Sequence, residues 1–288
     1  IADRDWSSDV CSSDLAAPLA LLPQSQFADD TSYARMMIMG YTEINAKTID
    51  QWVSNGWEWG QYVSHDEYSE AIHGRWSVKL TPVKTVPHEW FGDLNKKKVL
   101  GLASGGGQQM PIFTALGAEC SVLDYSEKQL ENERIVAERE GYAIAIVHAD
   151  MTKKLPFEDD FFDLIFYPVS NCYVEDVKSI WKECYRVLKA GGVLMSGLDI
   201  GINYAFNEDE TTLVNVLPFN PIKHPSHLKQ MQKSNGGIQF SHTLEEQING
   251  QLEAGFILTH LYDDTNGSGN LRDHNITSYI ATRSVKRA

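Results

Sequence analysis

The strongest constraint on the fold is an alternation of short apolar runs and amphipathic segments that begins near residue 98. The runs are rich in Val, Ile and Leu and have the length of β-strands, which is typical of parallel strands that helices cover on both faces. This pattern predicts an α/β fold with a doubly wound, mostly parallel, Rossmann-like sheet. The predicted strands are 98–104, 119–124, 143–149, 162–168 and 192–199.

The C-terminal part adds two further apolar runs, at 256–262 and 276–282, on either side of a turn-rich stretch. They predict an antiparallel hairpin that closes one edge of the sheet and brings it to seven strands. Between the fourth and fifth strands, apolar residues at helical spacing over 174–188 predict a long helix. We expect Gly191 and Gly192 to end this helix, because glycine is common just after helices.

The remaining sequence divides into further segments. Residues 1–35 have no helical or strand period, and 5–15 resemble a translated sequencing adapter, so we expect an artefactual or disordered tail. Residues 36–95 predict a helical, aromatic-rich N-terminal cap. The main domain is then 96–288, and its insertion at 201–241, which lacks a period, is expected to be an irregular lid.

Charge and cysteine content exclude several classes of function. Lys and Arg total 25 against 39 Asp and Glu, so the formal net charge is -14. A surface of that sign repels phosphate backbones and anionic lipid, and no apolar run is long enough for a membrane span, so we expect neither nucleic acid nor a membrane as partner. The four cysteines form no C-x-x-C pair, which predicts no metal site and reduced thiols in a cytoplasmic protein. The oligomeric state stays open.

A glycine-rich turn follows the first predicted strand, where Gly105, Gly106 and Gly107 precede a helix. Because glycine has no Cβ, such a turn lets a ligand approach the backbone at a helix N-terminus; a plain tight turn is the alternative. Asp124 ends the second strand 19 residues after Gly105. There a carboxylate can accept hydrogen bonds from both hydroxyls of an adenosine ribose. Ser126 already fits the N-cap of the next helix, which leaves Asp124 free for a ligand.

Asp150 follows the third predicted strand, where its carboxylate can meet an adenine edge while Met151 packs on the ring. A turn acid in a solvated loop is the alternative explanation for Asp150. The carboxyl ends of neighbouring parallel strands meet at one edge of a sheet. The glycine turn, Asp124 and Asp150 together therefore predict a site for an adenosine cofactor.

Four segments in order, VLGLASGGG, VLDYS, HADMTKKLPFEDDFFDLIF and YRVLKAGGVL, resemble the motifs of class I S-adenosylmethionine-dependent methyltransferases, in particular the small-molecule enzymes of the quinone-biosynthesis type. The resemblance covers residues 96–283. It implies S-adenosylmethionine as the cofactor and S-adenosylhomocysteine as its product. The glycine motif then contacts the methionine moiety, and a residue after the fourth strand lies beside the sulfonium. The implied cofactor-binding residues are Ser104, Gly105, Gly107, Asp124, Tyr125, Asp150, Met151, Ser170 and Asn171.

The chain departs from the family pattern at three positions. The family usually has an acidic residue at the position of Gly101, a glycine at Ala103 and a proline at Ala190. The first two departures affect the contact to the methionine amino group. A nicotinamide cofactor is not indicated, because the turn lacks the G-x-G-x-x-G pattern of dehydrogenases.

Methyl transfer from a sulfonium is a direct displacement, so the protein mainly aligns the reacting atoms and excludes water. A general base helps when the acceptor still carries its proton, and the candidates are His65, His242 and Asp199. Aromatic faces favour a cationic sulfonium and an apolar acceptor, although packing of the cap onto the sheet is an alternative role. The candidates for the substrate pocket are Trp57, Trp59, Tyr62, Tyr173 and Tyr204.

The sequence therefore predicts an enzyme that methylates a small-molecule acceptor. N-methylation of adenine or cytosine is disfavoured, because residues 167–170 read Tyr-Pro-Val-Ser and lack the paired prolines of those enzymes. The alternatives are an RNA or protein methyltransferase that relies on a docking partner, and a non-catalytic protein that keeps the cofactor pocket. A dehydrogenase with another adenosine cofactor is a weaker alternative.

Overall fold

The computed structural model describes residues 40–287, so the predicted tail lies outside the described residues. Within them, one sheet consists of β1 (Lys98–Leu102), β2 (Glu119–Asp124), β3 (Ala145–His148), β4 (Phe162–Tyr167), β5 (Leu188–Asp199), β6 (Phe256–Asp264) and β7 (Tyr279–Lys286). The strand order is β3-β2-β1-β4-β5-β7-β6. The first five strands run parallel, whereas β7 is antiparallel to β5 and β6. The predicted mostly parallel, seven-stranded sheet with an antiparallel C-terminal pair is confirmed.

Helices surround this sheet. They are α1 (Tyr41–Ser54), α2 (His65–Ile72), α3 (Met110–Ala115), α4 (Glu127–Glu140), α5 (Val177–Val187), α6 (Pro225–Ser234), α7 (Gly250–Glu253) and α8 (Asn270–Asp273). A π-helical turn, Glu245–Asn249, leads into α7, and single 3₁₀ turns lie at Glu58–Gly60, His88–Trp90, Asn171–Tyr173 and Ile202–Ala205. None of the described helices combines the length and the apolar character that a membrane crossing requires.

Both faces of the sheet are buried because successive strand residues point to opposite sides. In β1, Val99 joins a hydrophobic cluster with Phe113 of α3, whereas its neighbour Leu100 joins a second cluster with Trp181 of α5. Both β1 residues are fully buried. The near-continuous apolar runs seen in the sequence are thus the direct consequence of a sheet covered on two sides.

The end of α5 differs from the prediction. The helix ends at Val187, and Leu188 already pairs with Phe162 as the first residue of β5. The ladder then shifts register before Val193 pairs with Leu164, and Gly191 takes a left-handed φ of 76° in this irregular stretch. The prediction that the glycine pair ends the helix is therefore wrong. Gly191 and Gly192 instead lie in a bulge inside β5.

The insertion at 201–241 contains more regular structure than predicted. Helix α6 buries His227, Leu228 and Met231, and it begins with a proline in its first turn. It ends at Ser234, and the next residue, Asn235, caps it with a φ of 53° in the left-handed region. The sequence prediction of an irregular lid is wrong for this part, because only one short face of α6 is apolar and the period is too brief to recognise.

Residues 78–86 of the predicted cap pack directly on the sheet. Val78, Leu80 and Val86 are buried in the same hydrophobic cluster as Val99. The Leu80 carbonyl lies so close to Gly197 of β5 that a Cβ at position 197 would be 1.9 Å from its oxygen. Only glycine allows this crossing, because the overlapping atom belongs to the backbone and cannot rotate away.

Substitution of Gly197 by alanine tests this crossing. We expect Gly197→Ala to lower the free energy of unfolding by about 1–3 kcal/mol or more, as overpacking of a filled interior does. Urea unfolding measures the change. Gly267→Ala is the matched control, since a Cβ there meets no atom within 4 Å and its φ is not left-handed. Equal stability of the two variants would contradict the crossing.

Candidate functional site

A cavity of about 270 Å³ opens at the carboxyl ends of the parallel strands, where α/β sheets bind ligands. Its walls come from α1, from the crossing segment at 79–82, from the turns after β1 to β5, and from the insertion. The cavity brings together twelve of the residues predicted for the cofactor, the substrate and catalysis. These are Trp57, Trp59, Ser104, Gly105, Asp124, Tyr125, Asp150, Met151, Ser170, Tyr173, Asp199 and Tyr204.

Five predicted site residues do not line this cavity. His65 is exposed and pairs with Glu140, and Tyr62 is 42% exposed beside Arg139. Gly107 turns its N–H towards the buried Glu133. Asn171 is fully buried, where its amide exchanges hydrogen bonds with the backbone of Asp199. His242 is buried with Nε2 3.0 Å from the Asn171 carbonyl oxygen, and burial lowers its pKa.

The glycine turn after β1 is shaped by the protein itself. A Cβ on Gly105 would lie 2.7 Å from the Cβ of Gln129 and 2.9 Å from Oδ2 of Asp124. A Cβ on Gly106 would lie 2.8 Å from Oε1 of Gln129. These glycines therefore let the turn pack against α4, in addition to leaving its outer side open to the cavity.

Asp124 connects this turn to the start of α4. Its Oδ2 accepts a hydrogen bond from the Gly105 N–H at 3.0 Å, and its Oδ1 accepts one from the Ser126 N–H at 2.9 Å. Ser126 caps α4 through its own hydroxyl, which accepts from the Gln129 N–H, as predicted. Burial raises the pKa of Asp124, against the lowering effect of these N–H donors. An ionised carboxylate can accept about four hydrogen bonds, so the group can also accept from a ligand hydroxyl.

The third strand end presents a second carboxylate. Oδ1 of Asp150 accepts hydrogen bonds from the N–H and the hydroxyl of Thr152, at 2.9 and 2.7 Å. These two bonds fix the side chain at the wall of the cavity. Met151 is half-buried beside it, and the ring of Tyr125 stacks on His148 with 5.3 Å between centroids. Apolar and acidic groups thus meet where an adenine ring is predicted.

The structure shows the surroundings of two of the departures from the methyltransferase pattern. A Cβ on Gly101 would lie 2.8 Å from the sulfur of Met110, so a carboxylate at this position would require the Met110 side chain to move. Ala103 has a φ of 46°, in the left-handed region that favours the glycine usual there. The lining also offers an acceptor without a partner among the described residues, Oε1 of Gln129. This oxygen is buried against the glycine turn, since a Cβ on Gly106 would lie 2.8 Å from it.

Several lining residues were missed by the sequence analysis. They come from α1, from the crossing segment, from the helix starts after β1 and β2, from the insertion and from β7: Thr42, Asn45, Ala46, Ile49, Lys79, Thr81, Gln108, Gln109, Gln129, Gln239 and Tyr279. The clearest available signal was Asn45, a polar residue on the apolar face of α1. Its amide donates to the Ile238 carbonyl and accepts from the Ile238 N–H, which ties α1 to the insertion.

Glu133 of α4 is a second buried carboxyl group that the sequence did not reveal. It is fully buried, and one oxygen accepts the Gly107 N–H at 2.8 Å. Its other oxygen has no partner among the described residues. Burial raises the pKa of Glu133 to about 8, so the group is mainly protonated at neutral pH.

Glu133→Gln should remove a pH dependence of stability. Between the unfolded pKa near 4.5 and the folded pKa of about 8, the folded protein keeps a proton that the unfolded chain has lost. The free energy of unfolding of the wild type therefore falls as the pH rises through this range, by about 4–5 kcal/mol at most. Glutamine keeps an acceptor for Gly107 but does not ionise. Urea unfolding as a function of pH measures the difference.

The variant should gain stability over the wild type steadily from acidic to alkaline pH. Glu138→Gln, an exposed site on the same helix, is the matched control and should show no such trend. If the free energies of unfolding of wild type and Glu133→Gln changed with pH in the same way, the result would contradict a raised pKa at this position.

Comparisons with known proteins agree with this geometry. The family model described as a methyltransferase domain matches residues 100–196. An uncharacterized methyltransferase of Bacillus subtilis, YbaJ, is 42% identical over 249 residues, covering 84% of this chain and 97% of the relative. A demethylmenaquinone methyltransferase of Lactococcus lactis is 28% identical over 204 residues, covering 68% and 77%.

Among solved structures, an S-adenosylmethionine-dependent methyltransferase from Mesorhizobium loti is similar in fold, with a TM-score of 0.56 at 19% identity. The match covers 69% of this chain and 94% of that structure.

Proposed function

Because this chain belongs to the class I S-adenosylmethionine-dependent methyltransferases, we propose that it transfers the methyl group of this cofactor to a small-molecule acceptor by direct displacement. The observation that carries the proposal is the cavity in which the predicted cofactor residues and aromatic side chains meet. S-adenosylmethionine supplies a methyl carbon bound to a cationic sulfur, which makes that carbon open to attack by a nucleophile.

We assign one side of the cavity to the cofactor. Asp124 would accept hydrogen bonds from the ribose hydroxyls, and Asp150 with Met151 would hold the adenine. The turn at Ser104 and Gly105 would face the methionine moiety. The three cavity carboxylates, Asp124, Asp150 and Asp199, outnumber the single lining ammonium, Lys79, and this balance favours a ligand with net positive charge.

The acceptor side supports a small substrate. Tyr204 and Gln239 of the insertion close over the cavity and are joined by a hydrogen bond of 2.7 Å. Asn45 holds α1 against the insertion from the other side. A cavity with walls on these sides would shield the displacement from part of the surrounding water and has room for a compact acceptor. The demethylmenaquinone methyltransferase among the relatives acts on a small molecule, which also supports this class.

Calorimetric titration of the full chain with S-adenosylhomocysteine, followed by an acceptor screen, tests the proposal. We expect micromolar affinity for S-adenosylhomocysteine, no binding of NAD, and methyl transfer to at least one small-molecule acceptor. Methyl transfer to RNA or protein alone would contradict the acceptor class. Cofactor binding without turnover on any acceptor would favour a non-catalytic role.

Asp124→Asn tests the ribose assignment. The variant keeps the size of the side chain and loses its charge, so we expect the affinity for S-adenosylhomocysteine to fall by about 1.5–3 kcal/mol, the scale of charge-assisted hydrogen bonds. Calorimetry measures the affinity, and thermal unfolding verifies the fold. Glu138→Gln makes the same change of charge on the exposed face of α4 and should leave the affinity unchanged. Unchanged affinity in Asp124→Asn would remove the ribose role.

A further inference from the structure

The end of β5 places a buried carboxylate away from Asp124 and Asp150, the two acids predicted to bind the ribose and the adenine. Asp199 is 6% exposed and lines the cavity. In the strand order it lies three strands away from Asp124, a separation of about 14 Å at the usual strand spacing. Asp199 therefore belongs to the acceptor side of the site and not to the ribose end.

This carboxylate has no cationic partner within the described residues. No Lys, Arg or His nitrogen lies within 4 Å of it, and its Oδ1 accepts a hydrogen bond from the Gly201 N–H at 2.6 Å. The one basic side chain that lines the described cavity, Lys79, donates to the Pro82 carbonyl. A buried anion without a counter-charge is costly, and a ligand cation would relieve this cost.

Three tyrosines surround the same carboxylate. Tyr279 pairs with Asp199 across the β5–β7 ladder, so their side chains project from neighbouring positions of the sheet. Tyr204 follows Asp199 in the next turn and packs in one cluster with Tyr173. All three tyrosines line the cavity. Aromatic faces combined with a carboxylate form the type of cage that proteins use for ammonium groups.

The backbone of Asp199 is held rigidly. Its N–H donates to Oδ1 of Asn171, and its carbonyl accepts from Nδ2 of Asn171 and Nε2 of Gln247, all at 2.9–3.0 Å. Asn171, which the family resemblance places beside the sulfonium, thus acts here as a positioning residue for Asp199. These contacts fix the main chain of Asp199, and the Gly201 N–H and the Asn203 side chain hold its carboxylate, which is therefore pre-organised for a ligand.

From this arrangement we propose that the methyl acceptor is an amine, whose nitrogen binds between Asp199 and the tyrosines Tyr173, Tyr204 and Tyr279. This proposal rests on the proposed methyltransferase function and names its substrate class. The amine enters as an ammonium ion and gives one proton to the Asp199 carboxylate. Its nitrogen lone pair then forms a bond to the methyl carbon, while the carbon–sulfur bond breaks and leaves its electron pair on sulfur.

The charge balance favours an amine over an anionic acceptor. The carboxylate attracts the amine while it binds as an ammonium ion, and during the transfer the positive charge passes from sulfur to nitrogen, where the aromatic faces stabilise it. A phenolate or enolate that binds already ionised would instead carry its negative charge beside that of the Asp199 carboxylate. Burial raises the pKa of Asp199 to about 6, which makes it a stronger base than an ordinary aspartate.

Binding of a charged probe and its neutral isostere tests the proposal without requiring turnover. With S-adenosylhomocysteine at saturation, we expect choline to bind at least about tenfold more tightly than 3,3-dimethylbutan-1-ol, which has the same shape and no charge. Asp199→Asn should abolish this preference and leave the affinity for S-adenosylhomocysteine within about twofold. Tyr279→Leu should weaken the preference for choline. Tyr279→Phe should retain this preference, because the aromatic face is kept.

Asp150→Asn is the matched control, since it removes a cavity carboxylate from the cofactor side. It should weaken S-adenosylhomocysteine binding and leave the ratio of choline to isostere affinity unchanged. Equal affinities of choline and its isostere in the wild type, or no binding of choline, overturn the amine proposal while the methyltransferase function stands. Failure of S-adenosylhomocysteine itself to bind overturns both. Thermal unfolding of each variant confirms that it is folded.

Discussion

The carboxylate of Asp124 joins the two turns on which the candidate site is built. One oxygen accepts the N–H of Gly105 after β1, and the other accepts the N–H of Ser126 before α4. Without this anchor, two buried N–H groups would lose their partner, and the glycine turn would lose its fixed distance from the helix. The shape of the cofactor side therefore depends on one side chain, and any ligand that binds there adds its hydrogen bonds to an acceptor that is already oriented.

Buried carboxyl groups are the main electrostatic feature of this region. Burial raises the pKa values of Asp124, Glu133 and Asp199, so each ionised form is costly to the folded protein in the neutral range. Asp124 and Asp199 line the cavity, whereas Glu133 lies behind the glycine turn and remains protonated. At Asp199 the proposed ligand carries a positive charge, which would offset the cost of the ionised carboxylate.

Much of the fold was predictable because its signals are local. The alternation of apolar runs located β2 to the residue, and the pairing of β6 with β7 followed from two runs around a turn-rich stretch. The predictions that failed depend on contacts from elsewhere in the chain. The bulge at Gly191 arises from pairing of β5 with β4, and α6 is stabilised by packing inside the insertion. Neither the bulge nor α6 produces a periodic pattern in the sequence that is long enough to recognise.

By itself, the sequence determined the order of the apolar runs that become strands. It also determined the glycine turn, the acid that ends β2 and the acid that follows β3. These signals are local, because strand and helix periods and turn residues are read within a few neighbouring positions. Only the tertiary structure decided which of the candidate residues share a cavity. Tyr173 and Tyr204 came to line it, whereas Tyr62 turned outward and Asn171 became buried. Tyr279, far along the chain from Asp199, came to lie beside it through the antiparallel ladder. The physical reason is that burial and long-range pairing are properties of the packed chain, which no local pattern encodes.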